Sequence, residues 1–233
     1  MKIPYPFRFI LLSLCLIPQI SVASIIISGT RFIYPQNQKD IIVKMSNNGQ
    51  EPVLVQAWID KGDMNAKPDS IDVPFVVLPP INRINSRQSK TLKIKYNGQT
   101  LPGDRESIFW LNVHEVPVKT TLQNQSYLQF AFRSRLKLFY RPSVLIGKAE
   151  EAQKKLIWSC SNGRCDVKNN SGYYISLIEF ELQAGNRRIK QNADMVSPYS
   201  TRSFTVRPNS AGSVKSYTYL NDWGAIKTQT IGQ

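Results

Sequence analysis

The chain is cut into short runs in which apolar and polar residues alternate, and that period of two recurs along most of its length. Phe109, Leu111 and Val113 alternate with Ile108, Trp110, Asn112 and His114; Leu128, Phe130 and Phe132 alternate with Gln129, Ala131 and Arg133. Alternation of this kind sets one face of a pleated ribbon against a core. It predicts strands over 24–27, 40–46, 53–60, 75–78, 88–96, 107–114 and 126–140. A second series follows at 155–159, 165–169, 173–183, 187–189, 203–206 and 213–220. Turn-forming clusters such as Ser46-Asn-Asn-Gly49 and Asn97-Gly98 separate them. Only 148–155 has a helical character. Seven strands in about 120 residues is the content of an immunoglobulin-like sandwich. The expected fold is therefore all-β, with two such domains over 24–142 and 143–233 and a hinge near 142–148.

The N-terminus sets the compartment. Lys2 and Arg8 precede an apolar stretch from Phe9 to Ile17, and Ser21-Val-Ala23 supplies small residues for cleavage. The stretch is shorter than the roughly 20 residues of a membrane span. Residues 1–23 read as a secretory signal, which predicts a soluble mature protein outside the cytoplasm, with no membrane insertion. Of 30 basic and 16 acidic residues the signal carries two basic ones, leaving 28 against 16, or +12. Export argues against nucleic acid as the partner of that charge, and no basic block of five or more occurs. Acidic protein partners stay open.

Export also explains the cysteines. Cys15 lies in the signal, and Cys160 and Cys165 flank Ser161-Asn-Gly-Arg164, a tight-turn sequence. An oxidising compartment makes them a disulfide across a hairpin, a local staple. Catalysis finds no foothold: His114 is the single histidine, in an alternating strand, and neither zinc-ligand spacing, phosphate loop nor nucleophile elbow occurs. The expectation is a protein that is not an enzyme and takes no metal or cofactor.

The segment from Tyr127 to Pro142 holds the most chemistry. Lys137 interrupts an apolar run from Leu136 to Tyr140, where an unpaired ammonium is costly to bury. Arg141-Pro142 ends the strand, since proline cannot donate to a ladder. An edge strand ending in a cation can hold another polypeptide by its backbone and its carboxylate. Leu128, Phe130 and Phe132 can equally pack the chain's own core. Strict alternation places them opposite Lys137, so a bulge or twist is expected if both groups serve one ligand.

Across 24–224 the chain resembles periplasmic pilus-assembly chaperones of the chaperone–usher pathway. The motifs that carry the likeness are Thr30-Arg-Phe-Ile-Tyr-Pro35, Val77-Leu-Pro-Pro-Ile-Asn-Arg83, the 101–112 segment and Leu136-Lys-Leu-Phe-Tyr-Arg-Pro142. Asn170-Ser-Gly-Tyr-Tyr174, Met195-Val-Ser-Pro-Tyr199 and Leu220-Asn-Asp-Trp-Gly224 follow in family order. The resemblance implies two sandwiches in an L or boomerang. It implies a pilin or fimbrial subunit bound by donor-strand complementation, a form of β-strand addition, then delivery to an outer-membrane usher. It assigns Leu128, Phe130 and Phe132 to the donor strand, and Arg31 and Lys137 to the subunit's C-terminal carboxylate. It assigns Glu106, Arg141 and Asp222 to an interdomain ionic network, and puts a cis bond at the turn matching Pro79-Pro80. The short 117–125 connection resembles the short-loop subfamily. The two donor phenylalanines, Cys160–Cys165 and the nine residues after Gly224 depart from the pattern. The free protein's sticky edge is open to self-pairing. A secreted two-domain adhesin or structural pilus component is the alternative.

Overall fold

A computed structural model describes residues 25–117, 130–206 and 212–232. The proposed signal and Leu128 lie outside them. The first sandwich packs two sheets. One has the order β1 (Ile25–Ile27), β3 (Asp40–Asn47), β7 (Ser89–Tyr96), β5 (Phe75–Leu78). The other has the order β2 (Arg31–Pro35), β9 (Arg133–Arg141), β8 (Ser107–Pro117), β4 (Val53–Asp60), β6 (Ile81–Ile84). The inward side chains are those the alternation selects: Val43 and Met45, Val55 and Ala57, Leu92 and Ile94, Leu111 and Val113, Leu138 and Tyr140. Tyr34, Phe75 and Phe109 add an aromatic cluster, with Phe75 edge-on to both others at centroid distances of 5.3 and 5.0 Å.

Three strands were not legible. The strand expected at 24–27 is β1, antiparallel to β3; the chain then crosses between sheets at Gly29-Thr30, and the piece beyond it is β2, parallel to β9. Strand β6 follows the Pro79-Pro80 turn, where the cis bond is Leu78–Pro79. Strand β16 (Ile226–Thr230) is an edge strand with solvent on most of its side chains, and a wet edge has no alternation to read.

After Ser143–Leu145, a single 3-10 turn, and α1 (Ala149–Gln153), the second sandwich begins. Its sheets have the orders β10 (Ile157–Ser161), β11 (Arg164–Asn169), β14 (Ser200–Thr205) and β13 (Arg187–Asn192), β12 (Ser176–Ala184), β15 (Ser213–Leu220), β16. Cys165, Val167, Ile175, Phe180, Leu182, Val196 and Tyr217 fill the space between them. Cys160 and Cys165 face each other across the β10–β11 hairpin and are bonded, with Asn162 and Gly163 both at positive φ in the turn. Closing so short a loop is worth about 2 kcal/mol in the chain-entropy account. Changing both cysteines to serine is therefore expected to lower the thermal midpoint by several degrees, measured by circular dichroism, without loss of the folded state.

A two-cation stop at the end of an open strand edge

Strand β9 is central in its sheet for only part of its length. On one side it pairs with β8 from Arg133 to Tyr140 in unbroken register. On the other, β2 covers it only from Lys137 to Arg141. The edge on the N-terminal side of Lys137 carries no strand of its own chain among the described residues. The first closed rung of the parallel β2–β9 ladder is Arg31 opposite Lys137, so both cations stand where the open edge stops. They are 106 positions apart in sequence, and only the parallel crossing brings them together.

Neither cation is neutralised by a bonded carboxylate among the described residues. Arg31 Nη1 donates to Ser176 Oγ at 3.1 Å and to the Leu220 carbonyl at 3.3 Å, both in the second sandwich, and its Nε is buried without a partner. Its guanidinium lies 6.0 Å from the Phe139 ring centroid. Lys137 is part-buried and makes no hydrogen bond or ion pair among the described residues. Burial lowers the pKa of both cations. For Lys137 the neighbouring Arg31 charge pushes in the same direction, while more distant Asp222 and Glu106 partly offset the effect on Arg31. Two part-buried, mutually repelling cations would each be stabilised by an anion placed between them. A cleft of about 450 Å³ opens beside Arg31, lined also by Phe32, Ile33, Asp222 and Trp223.

Phe130 and Phe132 precede β9, are each 63% exposed and stand 6.4 Å apart by ring centroids. Of the strand read over 126–140, residues 126–129 lie outside the described residues, 130–132 are not in strand, and β9 runs from Arg133 to Arg141, preceded by one bond from the Glu115 N–H to the Phe132 carbonyl at 2.8 Å. These rings do not pack in the first domain's core. The expected bulge is not found between Arg133 and Tyr140. Even-numbered Leu136, Leu138 and Tyr140 turn to the core side and odd-numbered Lys137 to the other, so the two groups serve opposite faces of one ribbon.

Behind the stop, Arg141 joins the domains. Its Nε donates to Glu106 Oε1 at 2.7 Å, and Nη1 and Nη2 grip Asp222 at 2.6 and 2.9 Å. Glu106 Oε2 accepts from the Tyr174 N–H at 2.8 Å, and the Glu106 N–H donates to the Gly172 carbonyl at 2.8 Å. Burial opposes charge on Arg141, but the two carboxylates outweigh it and raise its pKa. Burial pushes Glu106 up against the pull of Arg141 and Tyr174. Close approach of the domains needs glycine at two points. A Cβ on Gly172 would lie 2.5 Å from the Asp104 carbonyl, and one on Gly224, at φ +77°, would collide with Thr30 Oγ1.

Sequence reading missed a further buried group on the same face. Asp60, at the end of β4, is 1% exposed and is gripped by Arg135, with bonds of 3.1 and 2.5 Å. An acidic residue at an outward-facing position reads as solvated, and nothing local marks a partner 75 positions away. His114 lies edge-on to Trp58. Among the described residues no cluster of three or more His, Cys, Asp or Glu is placed to hold a metal, and no helix is long and apolar enough to cross a membrane.

Comparison with known proteins agrees with this architecture. Residues 24–145 match the model described as pili and flagellar-assembly chaperone, PapD N-terminal domain, and residues 151–231 match pili assembly chaperone PapD, C-terminal domain. The chain is 44% identical over 215 residues to the probable fimbrial chaperone YadV of Escherichia coli (strain K12), covering 88% of this chain and 87% of that one. It is 42% identical over 210 residues to the chaperone protein FimB/FhaD of Bordetella pertussis, covering 88% and 86%. The crystal structure of the Pseudomonas aeruginosa CupB2 chaperone superposes with a TM-score of 0.74 at 37% identity, over 88% of this chain and 98% of that one. With both sandwiches matched and relatives this similar, the chain belongs to the family of pili assembly chaperones.

Proposed function

We propose that this chaperone acts in the periplasm, after loss of residues 1–23, by lending the segment that leads into β9 to a pilus subunit. A strand of the subunit pairs with the open edge, its C-terminal carboxylate is held by Arg31 and Lys137, and the complex is passed to an outer-membrane usher. The observation that carries this reading is the open edge closed by a rung bearing two unneutralised cations. Main-chain pairing is indifferent to the guest's side chains, so the stop supplies the register. Phe130 and Phe132 enter the guest's core, with Leu128 before them. Full burial of each is worth about 1.5–3 kcal/mol, and 63% of each ring side chain's residue surface is still free to be covered. Glu106, Arg141 and Asp222 hold the domains at the angle that forms the cleft, about a hinge at 142–148. The work is binding; no turnover, metal or cofactor enters it.

The test follows from the lowered Lys137 pKa. In the free protein its ammonium loses a proton below the ordinary lysine value, and a bound carboxylate restores that proton. Affinity for a denatured pilus subunit diluted into the chaperone is thus expected to fall as pH rises from neutral through that lowered value. Lys137→Arg, whose guanidinium does not titrate there, is expected to hold its affinity further into alkali. Indistinguishable profiles for the two proteins would remove Lys137 from the anchor. Failure of the wild type to form a soluble one-to-one complex at any pH would sink the chaperoning mechanism itself.

A further inference from the structure

Strand β9 presents three cations on one face at two-residue spacing: Arg133, Arg135 and Lys137. A carboxylate arriving along the open edge has a candidate anchor at each. Moving from one to the next slides the bound strand by two residues, about 7 Å. Of the three, Lys137 alone makes no bond of its own among the described residues.

Arg135 is withheld by Asp60. Its Nε donates to Asp60 Oδ2 at 3.1 Å and its Nη2 to Oδ1 at 2.5 Å, a two-pronged grip, and its plane lies 4.7 Å from the Trp110 ring centroid. Asn112 Nδ2 and the Gly62 N–H fill the remaining positions on Asp60 at 2.7 and 2.6 Å. Arg133 is drawn the same way, 5.6 Å from the Trp58 ring centroid and 2.6 Å from the Met64 carbonyl. Asp60, Trp58 and Trp110 belong to β4 and β8, on the side of β9 away from β2 and the open edge. A buried ion pair is weak evidence for stability, since an apolar pair of similar size often does as well. Its effect on where an anion can bind is direct.

We propose that Asp60 is a positioning residue that fixes the register of the guest strand, by sequestering Arg135 so that a terminal carboxylate finds its anchor only at Arg31 and Lys137. The inference rests on the carboxylate-holding function proposed above. It predicts a suppressor. Lys137→Ala should weaken binding of a denatured pilus subunit diluted into the full-length chaperone. Adding Asp60→Asn to that variant frees Arg135 with almost no change in volume, and is expected to recover at least tenfold in affinity. Protection of β9 amides from hydrogen exchange should then end two residues earlier than in the wild-type complex, a shift that a merely structural role would not produce. A folded D60N/K137A protein that binds no better than K137A overturns the proposal while leaving the anchor intact. A K137A protein that binds like wild type overturns both. Should D60N fold poorly, D60N/R135Q has no cation to withhold and is expected to bind as wild type. A folded D60N/R135Q that has lost the subunit overturns the proposal as well.

Discussion

Replacing Arg31 and Lys137 together by alanine is expected to abolish recovery of a pilus subunit in soluble complex while leaving the chaperone folded. A hydrogen bond to a charged group contributes about 1.5–3 kcal/mol, so losing both anchors lowers affinity by roughly two to four orders of magnitude. Stability should behave differently. The pKa of Lys137 is lowered in the folded protein, which means that folding disfavours its charged form; removing it relieves that cost. Lys137→Ala is expected to melt at or above the wild-type temperature. Arg31→Ala gives up two part-buried bonds from the charged guanidinium, to Ser176 Oγ and the Leu220 carbonyl, worth about 1.5–3 kcal/mol each, partly offset because burial of the charge is also relieved. Binding isotherms and thermal melts on the same preparations check this. A double variant that binds normally would eliminate the anchor, and one that unfolds would mean the cations are structural.

The second large effect is expected at the domain junction. Arg141 is 7% exposed and Glu106 3%, so Arg141→Ala strands a buried carboxylate and frees Asp222. Breaking a buried pair from one side costs about 3–5 kcal/mol. In a domain of this size that lowers the midpoint by about 10 °C or more. The connection at 142–148 should also become more open to protease, because Arg141 links the first sandwich to Asp222 of the second. A shift of under about 1 kcal/mol would place the network with exposed surface pairs.

The alternating strands were legible because each has a dry face and a wet one: Val53, Val55, Ala57 and Ile59 against Leu54, Gln56 and Trp58. Legibility failed where that contrast fails. Strand β16 is wet on both faces, and β2 is a five-residue piece whose role comes from its parallel partner. For Arg31 and Lys137 only the family likeness points to a carboxylate. Their own neighbourhoods say only that each lacks a nearby acid, and the rung that joins them is a property of topology. The same limit hid Asp60 and Arg135, whose pairing depends on β4, β8 and β9 lying side by side. Parity of residue number, by contrast, was readable throughout β9. It places Lys137 and the core-facing side chains of β9 on opposite faces, and no bulge intervenes between Arg133 and Tyr140.

The parallel sense of β2 has a consequence for what can be read at this edge. A guest whose C-terminus lies at Lys137 and whose body extends back toward Phe130 runs in the same direction as β9, and so in the same direction as β2. Guest and β2 then lie in line, as two segments of one strand interrupted by a single gap, and the negative charge of a chain terminus falls in that gap beside the two cations. A continuous polypeptide cannot pass, because β2 already occupies the line ahead. In the proposed complex the edge would therefore distinguish the end of a chain, and its polarity, from any internal stretch of the same composition.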